Sequence, residues 1–260
     1  MQAIEAFLIL YLSHLAADFL LQTDAMVRAK KHAPAKAFAQ HGAIHYVTIL
    51  AVTAVAQPNW LVQARFQAAA ATLVVAHLAI DWCKERLAAK AFGDNVLVFL
   101  ADQAVHLITV AATALFFTHT PLSFASEWLR EHLPNREKIL GVGVIYLAVV
   151  FAGGYLIRFL TKPLTQHLRM TDENGSSLRN AGMYIGWLER SLVLTALLLR
   201  SPATVGLVLA AKSIARFPEL GKSERFAEYF LIGTLLSLLA AIFGGIILLK
   251  LLTGRVNLAP

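Results

Sequence analysis

Four times in its first 106 residues the chain sets two metal-ligand side chains four positions apart inside an apolar run: His14/Asp18, His41/His45, His77/Asp81 and Asp102/His106. A spacing of i, i+4 puts both side chains on one face of a helix, one turn apart. Ionisable groups are costly inside a membrane-spanning helix, so eight of them require a shared purpose. Five imidazoles and three carboxylates suit zinc, iron, manganese, cobalt or nickel better than calcium or magnesium, which prefer all-oxygen shells. Charge points to two divalent transition-metal ions, zinc the leading choice. Their four positive charges exceed the three of the aspartates by one, which a bridging hydroxide cancels. Two adjacent ions can activate water and stabilise a developing oxyanion. Gln22, one turn beyond Asp18, and Gln103, beside Asp102, are the expected catalytic or supporting contacts at that site. The competing reading is a hydrogen-bonded polar network that only fastens helices together.

The elements that must position these residues follow from composition. Of 260 residues, 58% are hydrophobic and 15% charged, and the mean hydropathy is +0.62. A soluble domain has roughly 45–50% apolar and about 25% charged residues. The excess lies in runs of about 20 residues, the length that crosses a bilayer. The expected fold is all-α and polytopic, with about eight transmembrane helices at residues 3–21, 38–56, 66–87, 96–117, 139–160, 182–199, 204–217 and 227–252. The apolar first run carries His14 and Asp18 without a basic leader, so it reads as a retained span and not a signal peptide. One cysteine, Cys83, excludes an internal disulfide and a cysteine metal cluster.

Net charge is +7, but the basic residues sit in short loops, where they set topology and do not indicate nucleic acid. Loops after odd-numbered spans carry Arg28, Lys30, Lys31, Lys36, Lys84, Arg86, Lys90, Lys162, Arg169, Arg179, Lys222 and Arg225. Loops after even-numbered spans carry Arg65, Arg130, Arg136, Lys138 and Arg200. The positive-inside rule therefore places both termini outside and all four pairs at one depth, in the cytoplasmic third of the bilayer. Residues 123–133 read as a short interfacial amphipathic helix.

The first four spans contain an internal repeat. His14-Leu-Ala-Ala-Asp18 returns as His77-Leu-Ala-Ile-Asp81, and the pair in span two returns more loosely in span four. Parallel repeats of this kind are related by a pseudo-twofold axis along the membrane normal, each hairpin supplying four ligands. The chain thus divides into a metal-site domain at 1–118, a connection at 119–138 and a second four-helix domain at 139–260. In that last domain Glu189, Arg190, Lys212, Arg216, Glu228 and Tyr229 form a charged set in which cations outnumber acids. They are expected to bind an anionic, phosphate-like group, or else to neutralise one another.

The strings His14-Leu-Ala-Ala-Asp18, His41-Gly-Ala-Ile-His45, His77-Leu-Ala-Ile-Asp81 and Asp102-Gln-Ala-Val-His106 together resemble a bacterial membrane family catalogued as a domain of unknown function, number 3307. The resemblance covers residues 4–118, and Gly186-Trp-Leu-Glu-Arg190 looks like part of a carboxyl-terminal extension of longer members. It implies a bacterial inner-membrane location and no particular activity.

The leading expectation is a membrane-embedded, dinuclear metal-dependent hydrolase acting at the cytoplasmic interface. Its partners would be membrane lipids and an anionic, lipid-like phosphorylated molecule, with self-association left open. The alternative is a metal or proton transporter using the His/Asp pairs. A di-iron oxidase and a purely structural subunit complete the set.

Overall fold

The computed structural model describes residues 2–32, 34–87, 95–121, 134–166, 181–221 and 224–254. Among these the chain is helical throughout, without a strand. The helices are α1 Gln2–Leu15, α2 Asp24–His32, α3 Pro34–Ala56, α4 Ala64–Leu87, α5 Val96–Thr118, α6 Asn135–Leu147, α7 Gly153–Gln166, α8 Ala181–Leu198, α9 Pro202–Leu220 and α10 Glu224–Thr253. π-helical segments join α1 to Ala16–Leu21 and α6 to α7 through Ala148–Ala152. The expected interfacial helix at 123–133, with His132 and the loop residue His167, lies outside the described residues.

Among the described residues, six helical stretches are long and apolar enough to cross a membrane: Gln2–Leu21, Pro34–Ala56, Ala64–Arg86, Val96–Thr118, Asn135–Leu164 and Glu224–Thr253. The protein is an all-α polytopic membrane protein. The two other expected spans are helices, α8 and α9, but polar residues interrupt them. Glu189 and Arg190 fall mid-way along α8, and Lys212, Arg216 and Pro218 fall in α9.

The chain forms two compact units, Met1–Leu147 and Ala148–Pro260. In the first, α1 is the central helix, packed against α3, α5 and α6, while α4 packs against α3 and α5. Its apolar centre is built from Ile9, Leu10, Ile49, Phe66, Leu73 and Val110. At one end Trp60, Phe66 and Phe117 meet edge-on, with ring centroids 5.0 Å apart for Trp60–Phe117 and 5.4 Å for Phe66–Phe117. At the same end of α1 the buried Glu5 accepts from Gln57 Nε2 at 3.0 and 2.9 Å and from Arg136 Nη1 at 3.1 Å. Glu5 thereby ties α1 to the end of α3 and to the start of α6.

Small residues and caps set the other end. A side chain at Gly42 would bring its Cβ to 2.8 Å from Leu78 Cδ1, so glycine there lets α3 and α4 close up between His41 and His45. Asn95 starts α5 by accepting from the backbone N–H groups of Leu97 and Val98 at 2.9 and 3.1 Å, two turns before Asp102. In the second unit α10 packs on α7, α8 and α9, with Leu194, Ala241 and Leu248 buried between them.

Candidate metal centre

Helix α1 delivers His14 from its last turn and Asp18 from the π segment that follows. A π turn widens the helix and rotates the residues after it, a distortion concentrated at functional sites. The matching His77–Asp81 segment of the repeat lies within regular α-helix, so the two hairpins are not identical where they meet. Helix α3 supplies His41 and His45, α4 supplies His77 and Asp81, and α5 supplies Asp102 and His106.

All eight side chains converge. Asp18 Oδ1 is 2.8 Å from His45 Nε2, 3.2 Å from His41 Nε2 and 3.5 Å from His77 Nε2. Asp18 Oδ2 is 3.6 Å from His14 Nε2, and the Nε2 atoms of His41 and His77 lie 3.0 Å apart. Asp81 Oδ2 is 3.4 Å from His41 Nε2, and Asp81 Oδ1 is 3.8 Å from His106 Nε2. Ligand atoms on a tetrahedral zinc ion stand about 3.4 Å from one another. The spacings in this cluster scatter about that edge length.

Three overlapping groups have donor atoms within 4.8 Å of one another: His14, Asp18, His45 and His77; His41, His77 and Asp81; and Asp81, Asp102 and His106. The first two groups mix residues of both hairpins, and the third comes from the second hairpin alone.

Burial tests the fit of a metal. The imidazoles are at most 4% exposed, yet His14 Nε2, His77 Nδ1, His106 Nε2 and Asp102 Oδ1 are buried with no hydrogen-bond partner. His106 Nδ1 lies 2.9 Å from the Asp102 backbone carbonyl and donates its proton there. Its Nε2 therefore carries the lone pair and faces the cluster. A polar network that merely fastened helices would satisfy its buried members, because each orphan costs about 1–3 kcal/mol. Ions held by the groups above would give His14 Nε2, His106 Nε2 and Asp102 Oδ1 the partners they lack. The donor set fits a transition metal.

The expected supporting amides are in place. Gln103 Nε2 donates to Asp102 Oδ2 at 3.0 Å, and Gln22 Nε2 lies 3.4 Å from His41 Nδ1. Two residues read from sequence only as topology signals also enter the site. Lys30 Nζ, from α2, is 2.5 Å from Asp81 Oδ2, and Lys84 Nζ is 2.9 Å from Asp102 Oδ2. The signal that could have found Lys84 is its place one turn beyond Asp81; nothing local marks Lys30. Next to His14, His45, His77 and His106 lies a cavity the size of one water molecule, otherwise walled by Leu10, Ile49, Leu73, Val74, Thr109 and Val110.

The charged set of the second unit is arranged differently. Arg190 is buried, and its Nε and Nη2 donate to the Val150 carbonyl at 3.1 and 2.6 Å, while Nη1 donates to Ser237 Oγ at 3.2 Å. Val150 lies in the second π segment. Gly154 and Gly186 flank the guanidinium, and a Cβ at Gly154 would stand 2.6 Å from Nη2. Lys212 Nζ pairs with Glu189 Oε2 at 2.6 Å and lies over the Phe230 ring. Arg216 and Tyr229 are half-buried and Glu228 is exposed. Arg190 and Lys212 are thus engaged inside the unit.

Residues 6–133 match the family model described as "Protein of unknown function (DUF3307)". No curated protein and no solved structure matches the chain. The matched region contains every one of the eight converging ligands, and through it the chain belongs to that family.

Proposed function

We propose that this DUF3307 member is a membrane-embedded, transition-metal-dependent hydrolase whose substrate is a lipid-like phosphorylated molecule reached from the cytoplasmic side. The observation that carries the reading is the convergence of five imidazoles and three carboxylates with four buried, unpartnered ligand atoms among them.

His14, Asp18, His45 and His77 would hold one ion, and Asp81, Asp102 and His106 a second, with His41 between them. Ions so held would supply Lewis acidity, polarising a phosphoryl oxygen and lowering the pKa of water. The chain's own residues do the rest. Gln103 fixes the Asp102 carboxylate, the His106 backbone bond fixes its tautomer, and the apolar wall excludes bulk water. The water-sized cavity beside four imidazoles suits a nucleophile better than a passage. Beyond the imidazoles the cavity wall is apolar except for Thr109, and a single hydroxyl is a poor path for an ion or proton to continue, which weighs against transport.

The test is elemental analysis of purified protein, followed by a panel of phosphorylated and ester lipids. The expected result is one to two equivalents of zinc or a related metal, with hydrolysis lost in His45→Ala and His106→Ala. Metal without turnover of any phosphorylated lipid, combined with metal flux in liposomes, would replace hydrolysis with transport. Absence of metal would end the reading.

A further inference from the structure

Two lysines end inside the metal-ligand cluster, and their chemistry goes beyond setting topology. Lys30 Nζ, on a side chain only 6% exposed, pairs with Asp81 Oδ2, and Lys84 Nζ, on a side chain 33% exposed at the edge of the cluster, pairs with the buried Asp102 Oδ2. With neutral imidazoles, three aspartates and two ammonium groups give the cluster one net negative charge. A single divalent ion turns that into one positive charge, and two ions into three. The ions would moreover draw on the same carboxylates, Asp81 and Asp102, that now neutralise the lysines. A buried ammonium whose partner is spent elsewhere is strongly disfavoured. The loaded site therefore needs an anion, and its donors are already placed. They are two ammonium groups and the amides of Gln22 and Gln103, which line the same cluster.

We propose that Lys30 and Lys84 are the anion-binding residues of this site, and that a phosphate dianion binds there only together with the metal. The inference rests on the metal reading above and assigns the anionic group to these lysines, in place of Arg190, Lys212 and Arg216. A tetrahedral phosphate offers enough terminal oxygens to reach the metal and both ammonium groups at once, each through a charge-assisted bond. A phosphomonoester lipid headgroup and free phosphate share this chemistry. Lysines fit the role because an ammonium on a flexible stem can turn from carboxylate to phosphate without rebuilding the helices.

Coupling of this kind is reciprocal, so phosphate must raise metal affinity by the factor by which metal raises phosphate affinity. Zinc affinity is measured by chelator competition on the full chain in detergent, with and without inorganic phosphate. It is measured again in nanodiscs of phosphatidylcholine with and without phosphatidic acid. The expected result is zinc binding tightened about 10-fold or more by one or both phosphate sources. The arm that responds identifies the source. Lys84→Met weakens the coupling, and Lys30→Met/Lys84→Met reduces it to about 2-fold or less, while zinc binding without phosphate is retained or improved because competing cations are gone.

Zinc that binds the wild type equally well in every arm overturns the inference and leaves the metal reading standing. Coupling undiminished in the double variant also overturns it, by placing the anion elsewhere. No zinc binding in any arm overturns both. If the double variant does not fold, Lys84→Met alone decides the assignment, and coupling as large as in the wild type overturns it.

Discussion

A histidine is worth most to a metal when nothing else wants its lone pair. His106 meets that condition: its Nδ1 is committed to the Asp102 carbonyl and its Nε2 is buried without a donor. The residues around it act by holding such groups still. Gln103→Ala, which leaves Lys84 as the one remaining side-chain donor of the pair on Asp102 Oδ2, is expected to lower metal affinity about 10–100-fold with the helical fold intact; chelator competition alongside circular dichroism checks it. Arg190 makes the opposite case, a charged residue whose partners lie within the fold. Arg190→Met strips the Val150 carbonyl of both its side-chain donors and is expected to cost about 2–4 kcal/mol of stability, with zinc stoichiometry unchanged. Arg190→Lys should rescue little, since one ammonium cannot reproduce the guanidinium fork. The contrast explains what the sequence could reveal. Pairs such as His14/Asp18 announce themselves because helical spacing alone puts them on one face. The partners of Arg190 and Lys30 lie 40 and 51 residues away, and no local pattern reports such distances.

At the scale of elements, the duplicated hairpin was legible from two short strings, and so were the helices that carry it. The π segment at Ala16–Leu21 was not, because no residue type in Ala-Ala-Asp-Phe-Leu-Leu demands it. It arises where α1 must present Asp18 to three imidazoles from α3 and α4 at once. Deleting Ala17 should restore an α-helical turn and swing Asp18 by about 100° around the helix axis. The expected outcome is loss of the ion proposed for His14, Asp18, His45 and His77, at nearly constant helicity, read by metal analysis and circular dichroism. Gly42 belongs to the same scale. Gly42→Val should push α4 from α3 at Leu78, costing about 1–3 kcal/mol and loosening metal at His41 and His45 together. The polar interruptions of α8 and α9 show the limit of reading spans from hydropathy. Run length marked both as spans, while their charges serve contacts such as Glu189–Lys212 that a window average cannot see.

For the molecule as a whole, the family match and the converging ligands fall in the same unit, Met1–Leu147. On the proposed metal reading, its buried orphans link metal binding to the fold there. Removing metal with a chelator should lower the wild-type unfolding temperature, and excess zinc at about 1,000 times its dissociation constant should return about 4 kcal/mol. A His14→Ala/His77→Ala variant should show neither shift by differential scanning fluorimetry.

The clasp at the far end of α1 has a consequence in time. Glu5 waits for Gln57 and then for Arg136, 131 residues further along the chain. At ribosomal speeds of 5–20 residues per second that interval is roughly 7–26 s. Throughout it the first helix exists beside the ribosome with a carboxylate and no guanidinium to meet it. The bundle that gathers the histidines is therefore completed by a helix made after all of them, once synthesis has passed the midpoint of the 260-residue chain.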